Sequence, residues 1–288
     1  MSAVDRPLVV GVDGSESSLR AVDWAADEAV LRGLPLRLVH ACRWERYESA
    51  SLARDLGGPD EQLTPQDLVA AAGRRALAQH PALEVSSAVE FEEPEYALVH
   101  AGHQATALVV GTRGRGGVTE MLLGSVSLTV AAHADCPVIV LRGSHDNRAT
   151  PPVHGRVVVG VGADTAAVGF AVAEARRRGV PLEAVRAWRS PARERTGPRA
   201  TAPDRLDEDQ AEKILHEALC DVPPDVDLRR RTVEGLARRV LVDASHRADL
   251  LVVGARRREG RHGPQLGRVA HAALHHSACP VAVVPQRG

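Results

Sequence analysis

Between Gly111 and Ser127 the chain carries the residue types that hold a phosphate. Gly111, Gly114, Gly116 and Gly117 follow an apolar run, and Gly124-Ser125 open a helical stretch. Glycines let a backbone approach an anion closely, and the free N–H groups of a helix N-terminus bind its charge. Arg113 and Arg115 interleave the glycines, either as phosphate partners or as solvated loop arginines. A second chemical position is Asp13, where the first apolar run ends. A carboxylate there can accept a hydrogen bond from a sugar hydroxyl, and it can equally cap the helix that follows. No dedicated base stands beside the glycine turn, which makes this a binding site before it is a catalytic one.

Such residues must be brought together by elements, and the flanking sequence supplies them. Leu8 to Val12 is a continuous apolar run, as a parallel strand buried on both faces requires. It breaks at Asp13-Gly14-Ser15, and Ser15 is a good N-cap for a helix over Ser17 to Arg32 that buries Leu19, Val22, Ala26, Ala29 and Val30 and stops at Gly33. A strand over Pro35 to Cys42, a long loop over 43 to 64, a helix over Pro65 to His80, a strand over Leu83 to Val89 and a helix from Pro94 to His103 follow. Ala107 to Val110 is the next strand, then come the glycine turn, a helix from Met121 to His133, and a last strand from Pro137 to Leu141. This alternation predicts an α/β fold: an open, mainly parallel five-stranded sheet, flavodoxin-like or Rossmann-like, with helices on both faces.

The spacing Gly111-x2-Gly114-x9-Gly124-Ser125, the upstream Gly11-Val12-Asp13-Gly14-Ser15, and His133-Ala134-Asp135-Cys136-Pro137-Val138 downstream together resemble the universal stress protein family, in its tandem two-domain actinobacterial form. The resemblance implies ATP, alone or with magnesium, as the ligand. It implies that Asp13 contacts the nucleotide while Gly11 and Val12 line its pocket. The backbone of Ala41, at the end of the second strand, would meet adenine. Gly111, Arg113, Gly114, Gly124 and Ser125 would hold the phosphates, with Val126 and Ser127 extending the cradle. The implied role is a nucleotide-responsive stress regulator acting through protein partners. A slow ATPase or adenylyl-transfer enzyme is one alternative, and an interaction module that binds nothing is another.

The pattern then restarts. Arg156 to Val161 repeats the first strand, Ala166 to Arg178 the first helix, and Gly179-Val180-Pro181-Leu182 repeats Gly33-Leu34-Pro35-Leu36. Repetition on this scale indicates duplication, with domain 1 over 1–143, a polar linker over 144–155 and domain 2 over 156–288. In the second copy Gly162 replaces Asp13, Arg257 replaces Gly114 and Arg268 replaces Ser125, while Gly254 and Gly267 persist. Its site is therefore expected to be degenerate. The arginines Arg256, Arg257, Arg258 and Arg261 form an expected exposed basic loop, able to attract an anion by charge alone. In the family the last strands of two domains pair, which here would join Pro137–Leu141 to Pro280–Val284 inside one chain, with a homodimer as a further possibility.

Composition removes other classes. The formal net charge is −1 over 288 residues, which favours neither nucleic acid nor an anionic membrane. Lys213 is the sole lysine, so the Gly-Lys-Ser/Thr triplet of a P-loop is absent. No charged-then-apolar leader and no membrane-length apolar run occurs, which points to the cytoplasm. Cys42, Cys136, Cys220 and Cys279 show no paired spacing and read as small, reduced side chains. His271 and His275 are one helical turn apart and could face one metal, though no further ligand is evident. Arg229-Arg230-Arg231 falls on a strand expected at an exposed sheet edge.

Overall fold

The computed structural model describes residues 6–43, 64–112, 123–142, 149, 153–162, 165–189, 207–255, 258–260 and 263–286, with 258–260 and 263–265 described by backbone alone. Contacts divide the chain into two units, Met1–Pro151 and Pro152–Gly288.

In the first unit, β1 (Leu8–Gly11) is apolar throughout and loses nearly all solvent contact. It sits centrally, parallel to β2 (Leu36–Ala41) on one side and to β4 (Ala107–Val110) on the other. β3 (Val85–Glu90) flanks β2, and β5 (Val138–Val140) flanks β4. The order 3-2-1-4-5 is that of the dinucleotide-binding fold. The sheet's order reverses between β1 and β4, and in such sheets a crevice opens beyond the carboxyl ends of those two strands.

Helix α1 (Glu16–Arg32) starts where Ser15, in extended conformation, accepts a hydrogen bond from Ser18 N. It ends at Gly33, whose φ of 64° only glycine adopts freely. Its buried face is broader than the apolar spacing suggests. Trp24, Asp27 and Glu28 are buried with the alanines, whereas Val30 is 48% exposed and Leu19 is half-buried. The reason is that α1 packs against α2 (Pro65–Gln79) as well as the sheet. Arg75 of α2 forks onto Asp23 of α1 with two bonds of 2.6 Å, and His80 meets Asp27 at 2.7 Å. The N-terminus of α2 is closed by Thr64 and Asp67, each accepting the other's backbone N–H. α3 (Pro94–Gly102) precedes β4. α4 begins at Ser125 and ends at His133, later than the expected start at Met121, because Gly124 takes the extended backbone of an N-cap. Most of the expected loop over 43–64 lies outside the described residues.

The second unit repeats this plan. β6 (Val157–Gly160) is parallel to β7 (Leu182–Trp188) and β9 (Leu250–Ala255). β8 (Leu228–Glu234) flanks β7 and β12 (Val281–Pro285) flanks β9. Its helices are α5 (Ala166–Arg178), α6 (Glu208–Ala218), α7 (Ala237–Ser245) and α8 (Arg268–His276). Where an exposed basic loop was expected, the backbone makes an antiparallel hairpin of β10 (Arg258–Gly260) and β11 (Gly263–Gln265). Gly260 pairs with Gly263 in that ladder. Arg229, Arg230 and Arg231 lie exposed on β8, within this unit an outer strand, where charge discourages further strand pairing.

Asp249, just before β9, holds the start of the unit. Its carboxylate accepts the backbone N–H groups of Val153 (2.7 Å), His154 (2.7 Å) and Arg156 (2.9 Å). Hydrogen bonds to a charged group contribute about 1.5–3 kcal/mol each and are not additive. Asp249→Ala should therefore lower unfolding stability by roughly 3 kcal/mol in a urea titration, with an unchanged slope. A change under ~0.5 kcal/mol would show these bonds to be matched by water.

Candidate nucleotide site

At the carboxyl end of β1 the chain passes from Gly11 into a tight turn. Val12 continues the ladder, its N–H donating to Val39 O at 2.9 Å, and its side chain is buried. Gly14 takes φ 80°, which turns the chain into α1. Asp13 does not cap that helix; Ser15 does. Asp13 Oδ1 accepts from Ser15 N (3.0 Å) and Ser15 Oγ (2.6 Å), and so positions the cap. Asp13 N donates to Ser18 Oγ at 3.3 Å. Among the described residues Oδ2 takes no hydrogen bond, so one carboxylate oxygen remains able to accept from a ligand.

Ala41 ends β2, two residues beyond Val39, the last β2 partner of β1. The intervening His40 bonds back through Nδ1 to Val12 O at 2.7 Å. A carbonyl only accepts, so Nδ1 carries the proton. This brace between the ends of β1 and β2 is a feature the sequence reading missed. Its one signal is the repeat, since Arg186 in the matching position of β7 donates to Val161 O at 2.8 Å.

On the other side of the crevice, Gly111 leaves β4 against the first turn of α1. A Cβ on Gly111 would lie 2.4 Å from Ser17 Oγ and 2.7 Å from Ser17 O. Here the glycine permits backbone to approach backbone inside the fold. Gly124 N donates to Thr112 O at 2.7 Å, drawing together the two ends of the glycine segment. Ser127 is buried and its Oγ donates to Gly111 O at 2.7 Å. Ser125 is exposed and Val126 half-buried in the first turn of α4, and no side chain caps that terminus. Its leading N–H groups thus lack an intrahelical partner, which is the arrangement that attracts an anion. Arg113, Gly114, Arg115, Gly116 and Gly117 lie outside the described residues. A separate hollow of about 710 Å³ lies at the amino ends of β2 and β3, lined by Val30, Leu34, Pro35, His80 and Glu84 among others, far along the strands from these groups.

The second unit keeps the frame of this site and changes its chemistry. Leu241 covers Gly160 as Leu98 covers Gly11. Gly162 stands for Asp13, Ala270 for Ser127, and Arg268, exposed, opens α8. Around Gly254 the packing is less close than at Gly111, with the end of the Gln286 side chain, Nε2, 3.3 Å from a Cβ placed there. Arg256, Arg257 and Arg261 lie outside the described residues. His271 and His275 stack with ring centroids 4.4 Å apart, and among the described residues no third metal-type ligand joins them.

Two cysteines are core residues. Burial pushes the Cys136 thiol up to about 11 and that of Cys279 to about 12, from an ordinary 9.0. Burial also raises Cys42, while Cys220 is exposed. In the native protein at pH 8, iodoacetamide should modify Cys220 first and leave Cys136 and Cys279 intact until unfolding. Because both folded values lie above the unfolded one, stability is fully present below pH 9 and should fall as pH climbs toward 11 and 12. Rapid alkylation of Cys136 or Cys279 in folded protein would contradict this packing.

Comparison with known proteins gives a consistent picture. A model of the universal stress protein family matches residues 6–142 and again residues 154–285. The universal stress proteins Rv2005c of Mycobacterium tuberculosis and Mb2028c of Mycobacterium bovis are each 35% identical over 290 residues, covering 97% of this chain and 97% of their own. In fold, the crystal structure of a universal stress protein from Archaeoglobus fulgidus matches with a TM-score of 0.70 at 14% identity, over 99% of both chains. No helix among the described residues is long and apolar enough to cross a membrane.

Proposed function

The chain belongs to the universal stress protein family, with two such domains in tandem, and from that we propose that its first domain is the nucleotide-responsive one, binding ATP at the carboxyl ends of β1, β2 and β4. The observation that carries this reading is the bond from Gly124 N to Thr112 O, which sets the uncapped N-terminus of α4 against the end of β4, the strand next to the one from which Asp13 projects. The first turn of α4, with Ser125, Val126 and Ser127, takes the phosphates together with Gly111, Arg113 and Gly114. Asp13 Oδ2 accepts from ribose, while Gly11, Val12 and the backbone of Ala41 bound the adenosine. Magnesium, where present, accompanies the phosphates. In this reading residues 144–155 link the domains, and occupancy of the first sets which protein partners it engages.

Asp13 is already committed through Oδ1 to Ser15, which suits a binding role and leaves no obvious base for attack on a γ-phosphate. Turnover on the order of 1 per second under saturating ATP and magnesium, an ordinary enzymatic rate, would replace this reading with a catalytic one.

Calorimetric titration of ATP into nucleotide-free protein, at an ionic strength that screens binding by charge alone, should give one site per chain. Asp13→Asn keeps an acceptor for Ser15 and removes the charge, so it should weaken ATP roughly 10-fold with little loss of stability. Equal affinity in wild type and Asp13→Asn would show that this carboxylate does not contact the ligand. No heat of binding in the wild type would leave an interaction module.

A further inference from the structure

The carboxyl edge of the second domain carries the opposite charge to that of the first. The two edges can be compared position by position, because Leu98 and Leu241 cover the equivalent glycines Gly11 and Gly160, and because Gly124 and Gly267 cap equivalent helices. Where the first edge has Asp13 and Glu95, the second has Gly162 and Arg238. Where the first has His40, Tyr96 and Ser125, the second has Arg186, Arg239 and Arg268. Glu92 and Glu93 give way to Gly235 and Leu236, while Phe91 to Glu234, Ser15 to Asp164 and Gly116 to Glu259 change in the opposite sense.

These arginines come from separate elements that meet around the end of β6. Arg186 reaches Val161 O, just beyond that strand. The approach to α7 is tied to the end of β7 by Gly235 N donating to Trp188 O at 2.8 Å, which sets Arg238 and Arg239, in the first turn of α7, at the same edge. Arg268 is the first residue of α8, which packs on α7. Arg238, Arg239 and Arg268 are exposed, and among the described residues none of the three has an ion-pair partner. All three also sit at helix N-termini, where the backbone dipoles already present positive charge and a cation is unfavourable. Like charges gathered against their dipoles are stabilised when an anion lies between them.

We propose that the second domain binds a small polyphosphate anion at this edge, read by charge and without recognition of a nucleoside. Arg238, Arg239 and Arg268 contact the phosphates and Arg186 braces the floor of the site. Gly162 in place of Asp13 removes the acceptor that a ribose needs, which separates this ligand from the one assigned to the first domain. The proposal does not depend on that assignment.

The test uses inorganic tripolyphosphate and the full chain, by calorimetry at low and at raised ionic strength. The wild type should bind it, with affinity falling as salt rises. Arg238→Ala with Arg239→Ala, two exposed changes that leave the core untouched, should weaken that binding about 10-fold or more, and Arg268→Ser should weaken it further. Asp13→Asn should leave it unchanged, and the arginine double variant should leave ATP binding to the first domain unchanged. Absence of tripolyphosphate binding would overturn the proposal, and so would affinity undiminished in the arginine variants. Tighter capture of an oligoribonucleotide than of tripolyphosphate through these arginines would also overturn it, making the edge a nucleic-acid surface. Failure of the first-domain reading would show separately, as an ATP affinity insensitive to Asp13→Asn.

Discussion

Gly111→Ala should destabilise the first domain and remove its ATP binding, while Gly254→Ala in the second domain should be nearly silent. The two glycines occupy equivalent positions at the ends of β4 and β9. At Gly111 an added methyl lies 2.4 Å from Ser17 Oγ, 2.7 Å from Ser17 O and 2.8 Å from Ser17 C. A side chain can rotate away, but two of these atoms are backbone in the first turn of α1, so the helix itself must shift. Overpacking of this kind costs about 1–3 kcal/mol, and a backbone obstacle places it at the upper end. The shift also propagates. Ser17 lies between Ser15, which Asp13 holds, and Ser18, which receives Asp13 N. Moving that turn displaces the carboxylate assigned to the ribose, and it strains the bond from Ser127 Oγ to Gly111 O. At Gly254 the nearest atoms are the flexible end of the Gln286 side chain at 3.3 Å, which need give only a few tenths of an ångström, and Ala167 Cβ at 4.0 Å, an ordinary contact. Urea titrations of the two variants beside ATP titrations measure the contrast. Equal behaviour of the pair, in either direction, would show that the close approach at Gly111 is not what this glycine is for.

Which parts of this were legible in sequence follows from the range of the interactions involved. The buried strands declare themselves as apolar runs, and Ser15, Gly33, Pro94 and Gly179 mark helix ends by local chemistry, so the order of elements in the first half could be read directly, and its repeat placed β6, α5 and the last strand in the second. Contacts between distant residues could not. Gly111 and Ser17 are far apart in sequence, and nothing local distinguishes a glycine that admits a phosphate from one that admits another backbone. His40 reads as one polar residue in an apolar strand until its bond to Val12 O is seen. The charge reversal between the two edges was visible only in part, at Gly162 and Arg268. The contribution of Arg238 and Arg239 needs the packing of Leu241 over Gly160 to place it. The pairing of β10 with β11 has no apolar alternation to announce it, because arginines dominate the composition of that stretch.

The largest stability effects should come from an ion pair that sequence spacing makes look ordinary. Glu28 and Arg32 are one turn apart in α1, and Glu174 and Arg178 hold the same positions in α5. Exposed pairs at this spacing contribute a few tenths of a kcal/mol. These are not exposed. The side chains of Arg32 and Glu28 are 3% and 0% accessible with Nε and Oε1 2.6 Å apart, and those of Arg178 and Glu174 are 2% and 0% accessible. Each pair lies just before a left-handed glycine, Gly33 or Gly179, where a cation also complements the carboxyl end of the helix. Removing one member of a buried pair leaves its partner charged in a poorly solvated place, which costs about 3–5 kcal/mol. Glu28→Ala should therefore unfold the first domain at a urea concentration at which wild type is still folded, and Glu174→Ala should do the same to the second. Replacing both members with apolar residues of similar length, as in Glu28→Leu with Arg32→Met, removes the desolvated charges together and should restore most of the loss. A double variant as unstable as Glu28→Ala would mean that shape at this site, and not charge pairing, sets its stability. A Glu28→Ala loss below ~1 kcal/mol would mean that water reaches the pair.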